Sequence, residues 1–364
     1  MNTKKMIKKF KNVVFILESY CSEGLLKRQI LKIYLLLTDY RIKEYLVEEG
    51  HSVLMLYASD RVNREDHVNA IKLLKNELNN KGNIASFIRI NRVINIDVNF
   101  IFKNIFSSLG DIYLHQADKV SQSICVESYK TLVVHCDAVP IQSFVVAQSN
   151  ERGLDTYSLQ HGFYPDPKTS KQWEIEYKYS NAKKVFVWDD VTRGYFEKCQ
   201  PNRLYIESGP FYYDAIVGTI NNSLVFFTSS KYDVKHNQYL LRVAKFYKKN
   251  NKNKSVFIIC HPNYSLVDRI KLTVETGIKV KATNYKQNLG KENICFCINS
   301  SVWVDLNLKG ACYKLLDNYY MSDIFYSKKI SDIKCDYIDE NSKVFFIGKL
   351  AINRIVKELY ESIH

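Results

Sequence analysis

Two doubly wound α/β domains in series are what the sequence predicts, and three observations carry the prediction. Short apolar, β-branched runs alternate with longer stretches of helical periodicity, the pattern of parallel sheets covered on both faces. The length, 364 residues, suits one very large domain or two of roughly 150 residues each. The alternation is interrupted by Gly209-Pro210 and the polar Gly218-Thr219-Ile220-Asn221-Asn222-Ser223. That puts a boundary near residue 215, dividing the chain into 1–215 and 216–364 with the final helix free to pack back on the first half.

The first half is expected to open on a strand at Val13 to Leu17. A helix from Leu26 to Glu49 follows, with Ile30, Ile33, Leu37 and Leu46 on one apolar face and Gly50 as its stop. A strand at Val53 to Tyr57 and a helix from Arg64 to Asn80, with Val68, Ile71, Leu74 and Leu78 at helical spacing, come next. Strands at Ile84 to Ile90, Asp111 to Leu114 and Thr131 to His135 precede a helix over Ile141 to Arg152 that stops at Gly153. Thr156 to Leu159 and Lys184 to Trp188 read as strands, Arg193 to Lys198 as a short helix and Leu204 to Glu207 as a strand. In the second half the expected strands are Leu224 to Phe227, Val256 to Cys260, Ile278 to Val280, Ile294 to Ile298 and a last one near Val344 to Ile347. Between and after them come helices over Gln238 to Lys249, over Leu266 to Thr276, after Ser300 and from Lys349.

Composition narrows the class. Hydrophobic residues at 46% and charged residues at 25% are globular averages, which excludes a disordered or collagen-like chain. No apolar run reaches the roughly 18 residues that span a bilayer. The start carries Lys4, Lys5, Lys8 and Lys9 around Met6, Ile7 and Phe10, without a signal-length apolar stretch. A cytoplasmic protein is expected, its basic tail drawn to an anionic inner leaflet. Nine cysteines without regular spacing argue against a secreted disulfide framework and for core thiols. Cys295-x-Cys297 lacks the form of a metal knuckle. The net charge of +14 favours anionic partners. The excess is diffuse, however, and the aromatic residues form no stacking platform, so nucleic acid is not an expected partner.

Ligands of parallel α/β sheets bind outside the carboxyl ends of the strands, and the chemically suggestive residues follow strands closely. A cleft between the carboxyl ends of the two sheets is the expected site. His261-Pro262 ends one strand, where proline stops the strand and sets the turn. An imidazole there, beside a helix start, suits a phosphate. Ser300-Ser301 opens the helix after Ile298; such serines are ordinary helix caps and equally ordinary phosphate ligands. Asp305, one turn on, is a candidate for a ribose hydroxyl. Gln160-His161-Gly162 leaves the strand ending at Leu159, and its histidine suits proton transfer near neutrality.

Thr156-Tyr157-Ser158-Leu159-Gln160-His161-Gly162, Val185-Phe186-Val187-Trp188-Asp189, Gly209-Pro210-Phe211-Tyr212-Tyr213-Asp214, His261-Pro262 and Asn299-Ser300-Ser301-Val302 stand in the order seen in a family group. Over roughly residues 130 to 310 the chain resembles bacterial surface-polysaccharide glycosyltransferases of GT-B fold. That group includes polysialyltransferases, Kdo transferases of capsule synthesis and teichoic-acid glycerophosphotransferases. The resemblance implies a membrane-peripheral enzyme that takes a nucleotide-sugar donor and extends a glycan or lipid-linked glycan. It places His261, Pro262, Ser300 and Ser301 at the donor phosphates and the His161 loop on the acceptor side. Asp305 stands where relatives carry Glu, and no acidic diad before glycine of the sialyltransferase kind is present.

The favoured reading is a metal-independent, inverting glycosyltransferase of capsule or O-antigen synthesis with no cofactor, since no Asp-x-Asp ends an expected strand. Asp189-Asp190 is contiguous and precedes a helix, which also suits a cap. His161 is the expected general base, and Glu18, after the first strand, and Asp137, after the Thr131 to His135 strand, are its rivals. Transfer of a polyol phosphate is the runner-up, and a non-catalytic basic anion-binding protein is the alternative of another class.

Overall fold

The structure is a computed structural model. It describes residues 10, 13–14, 16, 25–46, 50–59, 65–82, 84–124, 126–162, 177–211, 222–251, 253–282, 288–290, 292–308, 311–319, 334, 336 and 349–363. The chain forms two compact units, Met1–Tyr212 with Val344–His364, and Tyr213–Lys343.

Unit 1 is built on a seven-stranded sheet. In chain order its elements are α1 (Leu25–Leu36), β1 (Thr38–Leu46), β2 (Val53–Ser59), α2 (Glu65–Gly82), β3 (Ala85–Ile94), α3 (Val98–Asn104), α4 (Leu109–Gln122), β4 (Thr131–Val134), α5 (Pro140–Glu151), β5 (Asp155–Leu159), β6 (Lys184–Val187), α6 (Asp190–Cys199) and β7 (Leu204–Glu207). The strand order is β1-β3-β2-β4-β5-β6-β7. All neighbours run parallel except β1, which lies antiparallel to β3. The chain reverses its direction of travel between β2 and β4, which makes their carboxyl ends the switch point. The near-continuous apolar run of β2 suits a strand covered on both faces. Leu54, Leu56 and Ala58 enter one core with α1, α4 and α5, while Val53, Met55 and Tyr57 enter another with α2.

Unit 2 has the order β10-β9-β8-β11-β12, all parallel. It comprises β8 (Ser223–Phe227), α7 (Val234–Asn250), β9 (Ser255–Ile259), α8 (Leu266–Thr276), β10 (Lys279–Lys281), β11 (Ile294–Cys297), α9 (Val302–Leu308) and β12 (Cys312–Leu315). Phe226 and Phe296 stack across β8 and β11 with centroids 4.5 Å apart, and Leu240, Val243 and Tyr247 of α7 cover them. The switch point lies between β8 and β11. The last helix, α10 (Lys349–Glu361), buries Ala351, Ile352, Ile355, Val356 and Leu359 in the α2 side of unit 1.

Several expectations need correction. Val13, Val14 and Ile16 are helical, not a strand, with Val13 and Ile16 fully buried. Residues 38–46, expected inside one long helix, form β1 instead, because Tyr40 and Ile42 face the core beside β3. Asp111 to Leu114, expected as a strand, lies in α4, whose start is set by a capping box: Asp111 N–H donates to Ser108 Oγ at 3.1 Å. β12 had no expected counterpart, and residues 344–347 lie outside the described set. Cys136, Cys260, Cys295 and Cys297 are buried free thiols, whereas Cys312 is disulfide-bonded. Among the described residues no helix is long and apolar enough to cross a membrane.

Candidate functional site

In unit 2, β8 stands between β9 and β11, so three loops converge at the carboxyl edge. Strand neighbours are about 4.8 Å apart, which sets His261 after β9 and Asn299-Ser300-Ser301 after β11 on either side of Thr228-Ser229-Ser230 after β8. Side chains stitch these loops together. Thr228 Oγ1 accepts the His261 N–H at 2.9 Å, and Ser229 Oγ donates to the Asn299 carbonyl at 2.8 Å. Asn237, in the first turn of α7, accepts the Ser229 N–H at 2.9 Å and donates to the Ser230 carbonyl at 2.8 Å.

Asn263 fixes the His261 ring. Its Nδ2 donates to Ser230 Oγ at 2.8 Å and its Oδ1 accepts the Lys231 N–H at 3.2 Å, which identifies the oxygen. His261 Nδ1 lies 2.9 Å from that oxygen and 3.3 Å from the Asn263 backbone nitrogen, so Asn263 meets the ring at Nδ1 in either tautomer: its oxygen accepts when Nδ1 is protonated, and its backbone N–H donates when it is not.

On the other side of β8, Asn299 adopts φ +45°, a left-handed conformation uncommon outside glycine. Asp317 holds it there by accepting the Asn299 N–H at 3.0 Å, while Asn299 Nδ2 donates to Asp233 Oδ2 at 2.6 Å. Asp233 Oδ1 accepts from His236 Nδ1 at 2.6 Å. Burial alone would push the Asp233 carboxyl up, but the bonds from His236 and Asn299 override it and hold it below its ordinary value. The same bond to Asp233 raises His236 against the opposing effect of burial. Burial raises the Asp317 carboxyl, partly offset by the Asn299 N–H.

Ser300 and Ser301 are half-buried beside this network, and the Val302 N–H approaches Ser300 Oγ at 3.5 Å, the geometry of a weak cap. Asp305 lies half-buried in the first turn of α9. Thus the structure brings His261, Ser300 and Ser301 to one edge of one sheet. Ser229, Ser230, Asp233, His236 and Asn263 share that edge and carry no local sequence signature; only the strand order reveals them.

In unit 1, His161 follows β5 beside the switch point. Its ring centroid lies 5.7 Å from that of His135, which follows β4, and 6.2 Å from that of His67 in the first turn of α2; His67 and His135 stack at 4.2 Å. Like charges this close repel, which works against all three rings being charged together. The loop is braced by Gln160, whose Oε1 accepts the Trp188 N–H at 2.7 Å and whose carbonyl accepts Trp188 Nε1–H at 3.0 Å.

Asp137 is buried, and its Oδ2 accepts from Ser180 Oγ, Asn181 N and Ala182 N at 2.6–2.8 Å. The geometry gives it the work of anchoring residues 180–182 to β4. Glu18 lies outside the described residues, and the strand expected to present it is replaced by helical residues. Asp189 caps α6 through the Thr192 N–H at 2.7 Å. Among the described residues no group of three or more His, Cys, Asp or Glu is placed to hold a metal ion.

No family model and no curated protein matches the sequence. Among solved structures the chain is similar to UDP-GlcNAc 2-epimerase from Methanocaldococcus jannaschii in complex with UDP-GlcNAc and UDP. The identity is 11% and the TM-score 0.51, over 85% of this chain and 99% of that one. It is also similar to UDP-GlcNAc 2-epimerase from Neisseria meningitidis bound to UDP-GlcNAc (10%, TM-score 0.49, 86% and 91%). A third is a UDP-forming α,α-trehalose-phosphate synthase from Burkholderia vietnamiensis (11%, TM-score 0.41, 69% and 78%). The likeness to the archaeal epimerase shows the fold: the chain has the GT-B-like α/β fold, with two Rossmann-like doubly wound sheets.

Proposed function

We propose that the chain is a glycosyltransferase taking a sugar from a nucleotide-activated donor and adding it to a bacterial surface glycan of capsule or O-antigen type, with unit 2 holding the donor's phosphates. One observation carries this reading: the convergence of His261, Asn263, Ser229, Ser230 and Asn299 on the switch point of unit 2, where ligands of doubly wound sheets bind. The Ser230 hydroxyl, which accepts from Asn263 and keeps its own proton, and a protonated His261 imidazole would supply donors for phosphate oxygens and, in transfer, for the charge that grows on the leaving nucleotide. Ser300 and Ser301 extend the donor set, and Asp305 is assigned to the ribose. On this reading the phosphate ligands do the work of a divalent ion, and His161 of unit 1 takes the proton of the acceptor hydroxyl.

Thermal-shift titration with cytidine, uridine, guanosine and adenosine diphosphates and cytidine monophosphate identifies the nucleotide, since a ligand of the native state raises stability by mass action. Losing a charged hydrogen bond costs about 1.5–3 kcal/mol, so His261→Ala should weaken the best nucleotide at least about tenfold. His161→Ala should leave that affinity intact and lower turnover about 10²–10⁴-fold. Mass spectrometry of the product should show an added sugar without phosphorus. A phosphorus-bearing product would identify a polyol-phosphate transferase. A nucleotide sugar isomerised without transfer, the activity named for two of the solved structures, would overturn the reading, and so would unchanged affinity in folded His261→Ala.

A further inference from the structure

A donor held through its phosphates needs positive charge at the edge that holds it. The connections between β8 and α7, between β9 and α8 and between β11 and α9 contain a single lysine or arginine, Lys231, and a single acid, Asp233. Asp233 is engaged by His236 and by the Asn299 side chain. Lys231 and, when protonated, His261 are therefore the positive charges these loops have to turn to a ligand. The backbone of Lys231 is already tied into the edge. Its N–H donates to Asn263 Oδ1 at 3.2 Å, and the same asparagine donates to Ser230 Oγ and meets the His261 ring at Nδ1. Its Nζ lies 3.4 Å from Asp268 Oδ2 in the first turn of α8, which draws the ammonium toward the connection that carries His261.

The hold of Asp268 on that ammonium is weak. Asp268 Oδ2 also accepts the Ser265 N–H and Ser265 Oγ–H, both at 2.9 Å, and these two bonds do most to keep the carboxyl below its ordinary value, with Lys231 contributing less. The two side chains are 34% and 37% exposed, a setting in which an ion pair contributes little. The Tyr232 ring, 5.6 Å from Nζ, adds a cation–π contact at an exposed site. α8 keeps its cap without Lys231, so the ammonium is displaceable at small cost. Each phosphate of a sugar nucleotide brings a negative charge. A protonated His261 and the neighbouring hydroxyls meet the charge of a monophosphate by themselves, whereas a diphosphate brings a second charge and leaves Lys231 to meet it. We propose that Lys231 leaves Asp268 to bind the second phosphate of a nucleoside diphosphate sugar, and so selects diphosphate over monophosphate donors. This rests on unit 2 being the donor site and adds to it a specificity-determining residue and a donor class.

Calorimetric titration of the full chain with the monophosphates and diphosphates of cytidine, uridine, guanosine and adenosine tests it. For the preferred base the wild type should bind the diphosphate at least about tenfold more tightly than the monophosphate. Lys231→Gln should weaken the diphosphate at least about tenfold while leaving the monophosphate within about twofold and the thermal midpoint near the wild-type value. Lys231→Arg, which keeps the charge, should keep most of the preference. A wild type that binds the monophosphate as tightly as the diphosphate overturns the proposal whatever the variants do. So does a folded Lys231→Gln that weakens neither nucleotide, or both equally. In each of those results a nucleotide still binds and the donor site itself stands. Absence of binding by any nucleotide of either class overturns the donor site and the role of Lys231 together.

Discussion

Asp233 and His236 stand one helical turn apart at the entry to α7, and their pairing makes unit 2 sensitive to pH in a calculable direction. His236 is raised in the folded chain by its bond to Asp233, with Asp317 contributing the same sign. A raised histidine stabilises fully below its unfolded pKa, about 6.5, and the contribution is lost as pH climbs through the folded value. Asp233 is lowered, so its contribution is present above its unfolded pKa, about 3.9, and is lost as pH falls through the folded value. Together they stabilise most between roughly pH 4 and 6.5. The stability lost in His236→Gln, measured by urea unfolding, should be largest in that window and shrink toward zero at alkaline pH. A difference that stayed constant with pH would show that the imidazole contributes by packing alone. Asp233 also accepts from the Asn299 side chain, so the variant should also loosen the edge that presents Ser300 and Ser301.

At the scale of elements, α8 shows how local chemistry fixes a boundary. Asp268 N–H donates to Ser265 Oγ at 3.1 Å, the Asp268 carboxylate accepts the Ser265 N–H at 2.9 Å, and Gly277 closes the helix at φ +64°. Ser265→Ala should cost about 1 kcal/mol, read as a lower urea midpoint; an unchanged midpoint would mean that the exposed cap adds nothing. Signals of this kind made much of the fold legible. The helix expected over about Leu266 to Thr276 is α8, and β2, β4 to β9 and β11 coincide with expected apolar runs followed by turns. The misreadings share a cause. Leucine and isoleucine recur so densely through 25–46 that helical periodicity continues unbroken where the chain becomes β1. Ile112-Tyr113-Leu114 favours a strand by propensity, but the Ser108–Asp111 box and packing on α5 decide for a helix. Of the candidate residues, His261 and the serine pair at the edge of unit 2 and His161 at the edge of unit 1 are legible because each follows a strand. Ser229, Asp233, His236 and Asn263 are not, because a polar loop residue acquires meaning only when β8 is known to lie between β9 and β11.

At the scale of the whole molecule, the chain enters unit 2 after residue 212 and returns to unit 1 at residue 344, so unit 1 is completed by a helix that follows all of unit 2 in the chain. α10 places Ile352, Ile355, Val356 and Leu359 at i, i+3, i+4 and i+7, all but Ile352 at most 2% exposed. They pack with Val68, Ile71, Leu74 and Leu78 of α2 under the central strands. Burying a large aliphatic side chain contributes about 1.5–3 kcal/mol, so four contribute about 6–12 kcal/mol, comparable with the 5–15 kcal/mol that stabilises a whole domain. Removing residues 349–364 should therefore unfold unit 1 rather than trim it. The expected result is loss of the unit's cooperative thermal transition and rapid proteolysis within residues 50–160. Ile355→Ala, a milder lesion, should cost about 2–5 kcal/mol. A truncated chain that kept the wild-type midpoint would show that α10 merely rests on a core already stable without it. The long sequence separation between α2 and α10 adds a kinetic consequence. The α2 face stays uncovered until α10 arrives, and exposed apolar faces of this kind are where folding intermediates aggregate. Refolding yield at micromolar concentrations should accordingly fall in Ile355→Ala by more than its loss of equilibrium stability accounts for.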